Sequence, residues 1–143
     1  MEAHETLAFA IASGTTPTIY ARLPVNQPYA PLLLEERELL AHGLAHWGGP
    51  AHATDALARV MGFENVERLY RDGDGIAEQL RAGEALSVAD LARALIATEF
   101  VFASDYYGAG WDWENVTGIS DEVTIKRLRE VQRKLIGVAR LPE

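Results

Sequence analysis

Hydrophobic residues recur at helical spacing over most of the chain, beginning after a proline-rich segment. Over residues 31–47 the period is about 3.6 residues, and Pro31 suits the first turn of a helix. A Gly-Gly-Pro sequence at 48–50 ends the pattern. We therefore predict a helix over residues 31–47 that turns one apolar stripe toward the core. The stripe consists of Leu33, Leu40, Leu44 and Trp47.

Shorter helical segments follow this first helix. Thr54 is a favoured N-cap residue, and Gly62 is typical of the position just after a helix, so a short helix is predicted between them. Residues 64–71 carry a further helical pattern. An Asp-Gly-Asp-Gly sequence at 72–75 predicts a break, after which residues 76–82 resume the helix.

Two longer helices are predicted over residues 88–104 and 121–137. Ser87 and Asp90 form a capping-box pattern before the first, and Ser120 is the N-cap of the second. Apolar residues wrap more than half of the first helix, which predicts that it is buried. They are Val88, Leu91, Leu95, Ile96, Phe100 and Phe102. The inner stripe of the second helix comprises Ile125, Leu128, Val131 and Leu135.

The N-terminal segment has a different pattern. Residues 2–13 favour a short helix, although a strand through residues 7–11 is an alternative. Four prolines within fifteen residues, three of them before Pro31, then predict an extended arm over residues 14–30, or a short edge strand around residues 18–23. The predicted fold is mainly α: an irregular bundle of five to seven helices with an extended Pro-rich N-terminal arm. Residues 1–143 form one domain, and the arm packs either in cis or across a homodimer.

Composition narrows the class of protein. The 143 residues contain 48% hydrophobic and 24% charged side chains, which suits one globular domain. There is no cysteine, so disulfides and thiolate chemistry are excluded. The acidic N-terminus does not match a signal peptide, and no apolar stretch has the length of a membrane span. We therefore expect a cytoplasmic protein without membrane contact, and its Ala-, Arg- and Gly-rich composition is typical of a bacterial source.

Net charge narrows the class of partner. At pH 7 the chain carries a formal charge of −8, which disfavours binding to nucleic acid phosphates. An acidic body instead attracts basic protein partners, although the same charge also serves solubility alone. Nucleic acid binding is therefore not expected.

The first predicted helix carries a candidate metal site. His42 and His46 are four residues apart, and Glu38 lies one turn earlier on the same side, opposite the apolar stripe. Two histidines one turn apart can both direct a nitrogen at one metal ion, with a carboxylate as third ligand. His52 and Asp55 are possible further ligands. The alternative is a solvated helix face with no cofactor.

The most unusual stretch is DYYGAGWDWENVTG, residues 105–118, within a predicted Gly-containing loop over residues 105–119. Tyr and Trp side chains combine a large contact area with a polar group, so they are frequent in protein interfaces and ligand pockets. The residues predicted to contact a partner are Asp105, Tyr106, Tyr107, Trp111, Asp112, Trp113 and Glu114. The alternatives are that the rings close one end of the bundle or line a small-molecule pocket.

Two functional hypotheses remain from the sequence. No recognisable catalytic motif occurs, which favours a non-enzymatic interaction module, such as an immunity-like or antitoxin-like neutraliser or an adaptor that binds a basic partner. The alternative is a small helical enzyme or ligand-binding protein. It would use the histidine helix, or Glu99 with Asp105 at a pocket lined by the aromatic residues.

Overall fold

The computed structural model describes residues 28–29, 32–49 and 51–142, and these residues form a mainly helical bundle. Six α-helices lie in this part of the chain, as predicted. They are α1 (Leu34–Ala45), α2 (Asp55–Val60), α3 (Val66–Arg81), α4 (Val88–Ala103), α5 (Trp113–Thr117) and α6 (Asp121–Leu135). Short 3₁₀ helices cover His46–Gly48 and Gly110–Asp112. The predicted helix over residues 2–13, the edge strand at 18–23 and most of the arm lie outside the described residues.

A two-residue β-ladder connects the beginning of the described chain to the helical bundle. Strand β1 (Pro28–Tyr29) pairs antiparallel with β2 (Leu86–Ser87). Pro28 lies opposite Ser87, and Tyr29 lies opposite Leu86. Because β2 leads directly into α4, the end of the predicted arm is held at the N-terminal end of that helix.

Helix α1 lies at the centre of the bundle and contacts α3, α4 and α6. Leu40, Leu44 and Trp47 are buried as predicted, and Trp47 Nε1 donates a hydrogen bond to the Ala97 carbonyl at 3.0 Å. The prediction for Leu33 was wrong, because this residue occupies the N-cap position and is more than half exposed. Even the polar residue Glu36 is buried, where it accepts a hydrogen bond from Lys134 Nζ of α6 at 2.6 Å.

Helices α1 and α4 approach so closely that small residues line their contact. A Cβ atom placed on Gly43 would lie only 1.9 Å from Thr98 Oγ1 and 2.6 Å from Thr98 Cα. The buried face of α4 is accordingly rich in alanine: Ala89, Ala92, Ala94 and Ala97. The prediction that Phe100 is in the core was wrong, because this small-residue face points inward and turns Phe100 toward solvent.

Helix α3 is continuous through residues 72–75, so the predicted break was wrong. Asn65 caps its N-terminus by accepting a hydrogen bond from the Arg68 amide at 2.9 Å. Gly73 is buried, and a Cβ atom there would lie 3.7 Å from Leu44 of α1. The glycine sequence that suggests a turn therefore lies within a helix, with one glycine at the contact between α3 and α1.

The helix boundaries otherwise agree with the sequence patterns. Side chains of Thr54, Ser87 and Ser120 each accept a hydrogen bond from the backbone of the helix that they cap. The predicted inner stripe of α6 is confirmed except at Ile125. This residue is half exposed, and Thr124 is buried in its place. None of the described helices has the length and apolar character needed to cross a membrane.

Candidate interaction site

The predicted aromatic loop is a compact turn followed by helix. Residues 104–112, which we call the aromatic turn, fold back onto the C-terminal end of α4. The amides of Gly108 and Gly110 donate to the Ser104 carbonyl at 3.1 and 3.2 Å, and the Ala109 amide donates to the Val101 carbonyl at 2.7 Å. The prediction of a loop through residue 119 was wrong, because α5 follows at once.

Two glycines allow this turn to fold tightly. A Cβ atom on Gly108 would lie 2.4 Å from the Val101 carbonyl oxygen, and one on Gly110 would lie 3.0 Å from the Phe102 carbonyl oxygen. Because the nearest obstacles include backbone atoms of α4, they cannot rotate away as a flexible side chain would. A larger residue at either position would therefore push the aromatic turn away from α4.

Trp113 belongs to the core. Its side chain is fully buried, and its Nε1 donates a hydrogen bond to Thr124 Oγ1 of α6 at 2.8 Å. Its ring makes edge-to-face contacts with Phe102 and His46, with centroid distances of 5.6 and 6.1 Å. This one residue among the predicted partner contacts therefore closes the end of the bundle and attaches α5 to α6.

The other aromatic residues of the turn face solvent. Tyr106 is 77% exposed and Trp111 is 79% exposed, while Tyr107 is partly covered. The rings of Tyr106 and Tyr107 pack edge to face with centroids 4.7 Å apart. His52 also touches this turn, since its amide donates to the Tyr107 carbonyl at 2.9 Å. Its contact with the turn was not predicted, because nothing in the local sequence connects residue 52 with residue 107.

Three acidic residues are neighbours of these aromatic residues in the sequence. Asp105 and Glu114 are exposed, and Asp112 is half-buried and accepts a hydrogen bond from Asn115 Nδ2 at 2.9 Å. Within the described part of the chain, none of these three carboxylates has a Lys, Arg or His nitrogen within 4.0 Å. The same end of the bundle carries Asp121, in the first turn of α6. It is thus an acidic surface with exposed aromatic rings.

The histidine pair lies against this end of the core instead of on a solvated face. The rings of His42 and His46 are stacked with centroids 5.5 Å apart, and His42 Nε2 lies 3.4 Å from Glu38 Oε1. His46 Nε2 is buried and lacks a hydrogen-bond partner in the described structure. Among the described residues, no three His, Asp or Glu side chains are arranged to hold a metal ion. The predicted set of Glu38, His42 and His46 therefore does not form such a group.

Burial favours the neutral form of both histidines. It lowers the pKa of His42 below 6.5, an effect that Glu38 opposes and Arg81 reinforces. Burial also lowers the pKa of His46 below 6.5, and the neighbouring charges of His42 and Arg81 lower it further. The pair consequently behaves as a neutral, stacked element of the core near neutral pH.

The two carboxylates considered as a catalytic pair have separate surroundings. Glu99 accepts a hydrogen bond from Gln132 Nε2 at 2.7 Å and lines a small groove of about 240 Å³ between α4 and α6. Asp105 is not among the described residues that line this groove. It lies instead in the aromatic turn, where its Oδ1 is close to Gly110.

Comparisons with protein-family models, with curated proteins and with solved structures find no match for this chain.

Proposed function

We propose that this protein is a non-enzymatic interaction module that binds a basic protein partner through the aromatic turn. The observation that carries the proposal is the exposure of Tyr106 and Trp111, each more than three-quarters open to solvent on a turn whose backbone is hydrogen-bonded to the end of α4. Exposed aromatic side chains of this kind are typical of the residues that dominate binding energy in protein interfaces.

The fixed backbone favours binding by these rings. Association costs free energy when loops and side chains must become ordered, and a turn that is already ordered reduces this cost. The Ala109 amide joins the turn to the Val101 carbonyl of α4 by a hydrogen bond, and buried Trp113 attaches the following helix to α6. Tyr106 and Trp111 are thus displayed by a surface that need not rearrange its backbone when a partner arrives.

Charge defines the chemistry of the partner. Asp105, Asp112 and Glu114 belong to the same short segment as the exposed rings, and no basic side chain in the described part of the chain pairs with them. A partner that presents Lys or Arg would pair with these carboxylates and speed its own association by long-range attraction. Guanidinium groups also stack on the faces of Trp and Tyr rings. An immunity-like or antitoxin-like neutraliser, or an adaptor, would have these properties.

A capture experiment followed by reconstitution tests the proposal. Immobilised wild-type protein, Tyr106→Ala, Trp111→Ala and the control Leu34→Ala are incubated with lysate of the source organism. Leu34 is exposed to a similar extent but lies at the start of α1, outside the turn. A captured basic protein is then purified and its affinity for each variant is measured. We expect the turn variants to weaken binding by roughly 30-fold or more, while Leu34→Ala binds like the wild type.

Tryptophan fluorescence gives a direct signal for the same interaction. Trp47 and Trp113 are fully buried, so quenching by acrylamide reports mainly on Trp111. Addition of the purified partner should protect Trp111 from the quencher, and added salt should weaken the complex. The proposal fails if the partner is acidic, or if Leu34→Ala weakens its binding as much as Trp111→Ala does.

A further inference from the structure

A cleft on the surface of the bundle lies well away from the aromatic turn. It has a volume of about 850 Å³ and is bordered by α3, by the turn between α2 and α3, by the first residues of α4 and by the C-terminal residues Leu141 and Pro142. Arg93 at this cleft and Ser104 at the aromatic turn are eleven positions apart in the chain, or about 16 Å along the axis of α4. A volume of this size is typical of small-molecule sites.

Four arginines line this cleft on a protein that is otherwise acidic. They are Arg59, Arg68, Arg71 and Arg93, from a total of thirteen Lys and Arg residues. Three carboxylates accompany them. Asp90 is engaged by Arg93 at 2.8 Å, and Asp72 lies 3.8 Å from Arg68. Within the described residues, Arg59 and Arg71 have no carboxylate within 4.0 Å, and Glu64 is the one carboxylate of the cleft without a basic partner.

One guanidinium is fixed at the inner wall of the cleft. Arg93 Nε donates to the Gly62 carbonyl at 2.9 Å, and Arg93 Nη1 donates to Asp90. Its side chain is only 23% exposed. These two bonds use two of the five N–H donors of an arginine, so the others can serve a ligand. The inner wall also contains apolar side chains, since Phe63 and Ile76 are buried residues that line the cleft.

We propose that this cleft binds a small organic molecule that carries a phosphate group. A phosphate monoester has three terminal oxygens and a charge near −2, which matches several guanidinium groups better than the single charge of a carboxylate does. The exposed Arg59 and Arg71 supply the charge, Arg93 supplies fixed donors, and Phe63 and Ile76 contact the apolar part. The confined volume and the acidic protein body disfavour a nucleic acid chain as the ligand.

Titration with phenyl phosphate, followed by amide NMR shifts and calorimetry, tests this proposal on the full chain. We expect shifts at residues 62–64, 68–76 and 90–93, together with an affinity that falls as salt is added. Arg71→Gln and Arg59→Gln should each weaken binding about tenfold or more, because each removes charge-assisted hydrogen bonds to phosphate. Both side chains are exposed, so the thermal midpoint of each variant should match that of the wild type.

Matched controls distinguish specific binding in the cleft from nonspecific electrostatic attraction. Arg133→Gln removes an exposed arginine of α6 outside the cleft and should leave the affinity for phenyl phosphate unchanged. Inorganic phosphate should bind more weakly than phenyl phosphate, because it lacks the apolar part. Equal losses for Arg133→Gln and Arg71→Gln would overturn the proposal, as would preferential binding of benzoate or an absence of shifts at millimolar phenyl phosphate.

Discussion

Replacing Gly43 by alanine tests the packing between α1 and α4 on which the core depends. In an exposed helix this change stabilises by about 1 kcal/mol, because alanine loses less backbone entropy than glycine on folding. At Gly43 the new Cβ would lie 1.9, 2.5 and 2.6 Å from Thr98 Oγ1, Cβ and Cα. Rotation of the Thr98 side chain removes only the first of these clashes. The two helices must therefore move apart to accommodate the methyl group.

The free-energy cost of moving the two helices apart is larger than the free energy gained from the higher helix propensity of alanine. Overpacking of a dense core costs about 1–3 kcal/mol or more, and contact with the backbone Cα atom places Gly43→Ala at the upper end of this range. We expect a net loss of about 2 kcal/mol in the free energy of unfolding, measured by urea denaturation. The slope of free energy against urea should stay unchanged if the variant keeps the native fold.

Gly75→Ala is the matched control for this substitution. Gly75 also lies inside a helix, α3, but no described atom outside its own neighbourhood lies within 4 Å of the Cβ position. This variant should gain about 0.5–1 kcal/mol. A Gly43→Ala protein as stable as the wild type would refute the close approach of α1 and α4. A loss for Gly75→Ala would refute the continuity of α3 through residues 72–75.

Two further predictions concern the core beside the aromatic turn. Thr124→Val leaves Trp113 Nε1 buried without its acceptor and should cost about 1–3 kcal/mol in urea denaturation, whereas Thr124→Ser keeps the hydroxyl and should cost less. Burial lowers the pKa of His42 and His46 below 6.5, so below that pH the unfolded chain binds more protons than the folded chain. The free energy of unfolding should thus be largest well above pH 6.5 and decrease as the pH falls through 6.5, and the double variant His42→Gln/His46→Phe should lose most of this dependence.

Local sequence rules predicted the helix boundaries well because the responsible interactions are local. The hydroxyl of Thr54 and that of Ser120 bond to amides three residues away, so their effect does not depend on the rest of the fold. The mainly helical bundle follows from the same short-range periodicity. These features required no knowledge of which helices are neighbours.

The errors arose where a distant contact decides the role of a residue. Phe100 is more hydrophobic than the alanines of α4, yet the close approach of Gly43 selects the small face of the helix for the interior. His42 and His46 were expected on a solvated face or at a metal, but Trp113, about 70 residues further along the chain, packs against His46. Gly73 in a polar sequence resembles a turn until Leu44 is known to lie against it.

Residues 111–113 contain one tryptophan on the surface and one whose role is decided by a distant contact. In a helical backbone, residues two positions apart point in nearly opposite directions, since each residue turns the chain by about 100°. Trp111 lies in a 3₁₀ turn and Trp113 begins α5, so one ring faces solvent while the other enters the core. The prediction that Trp111 and Trp113 both contact one partner is incompatible with this geometry. Substitution of Trp113 consequently reports on folding, and only substitutions at Tyr106 and Trp111 test recognition of a partner.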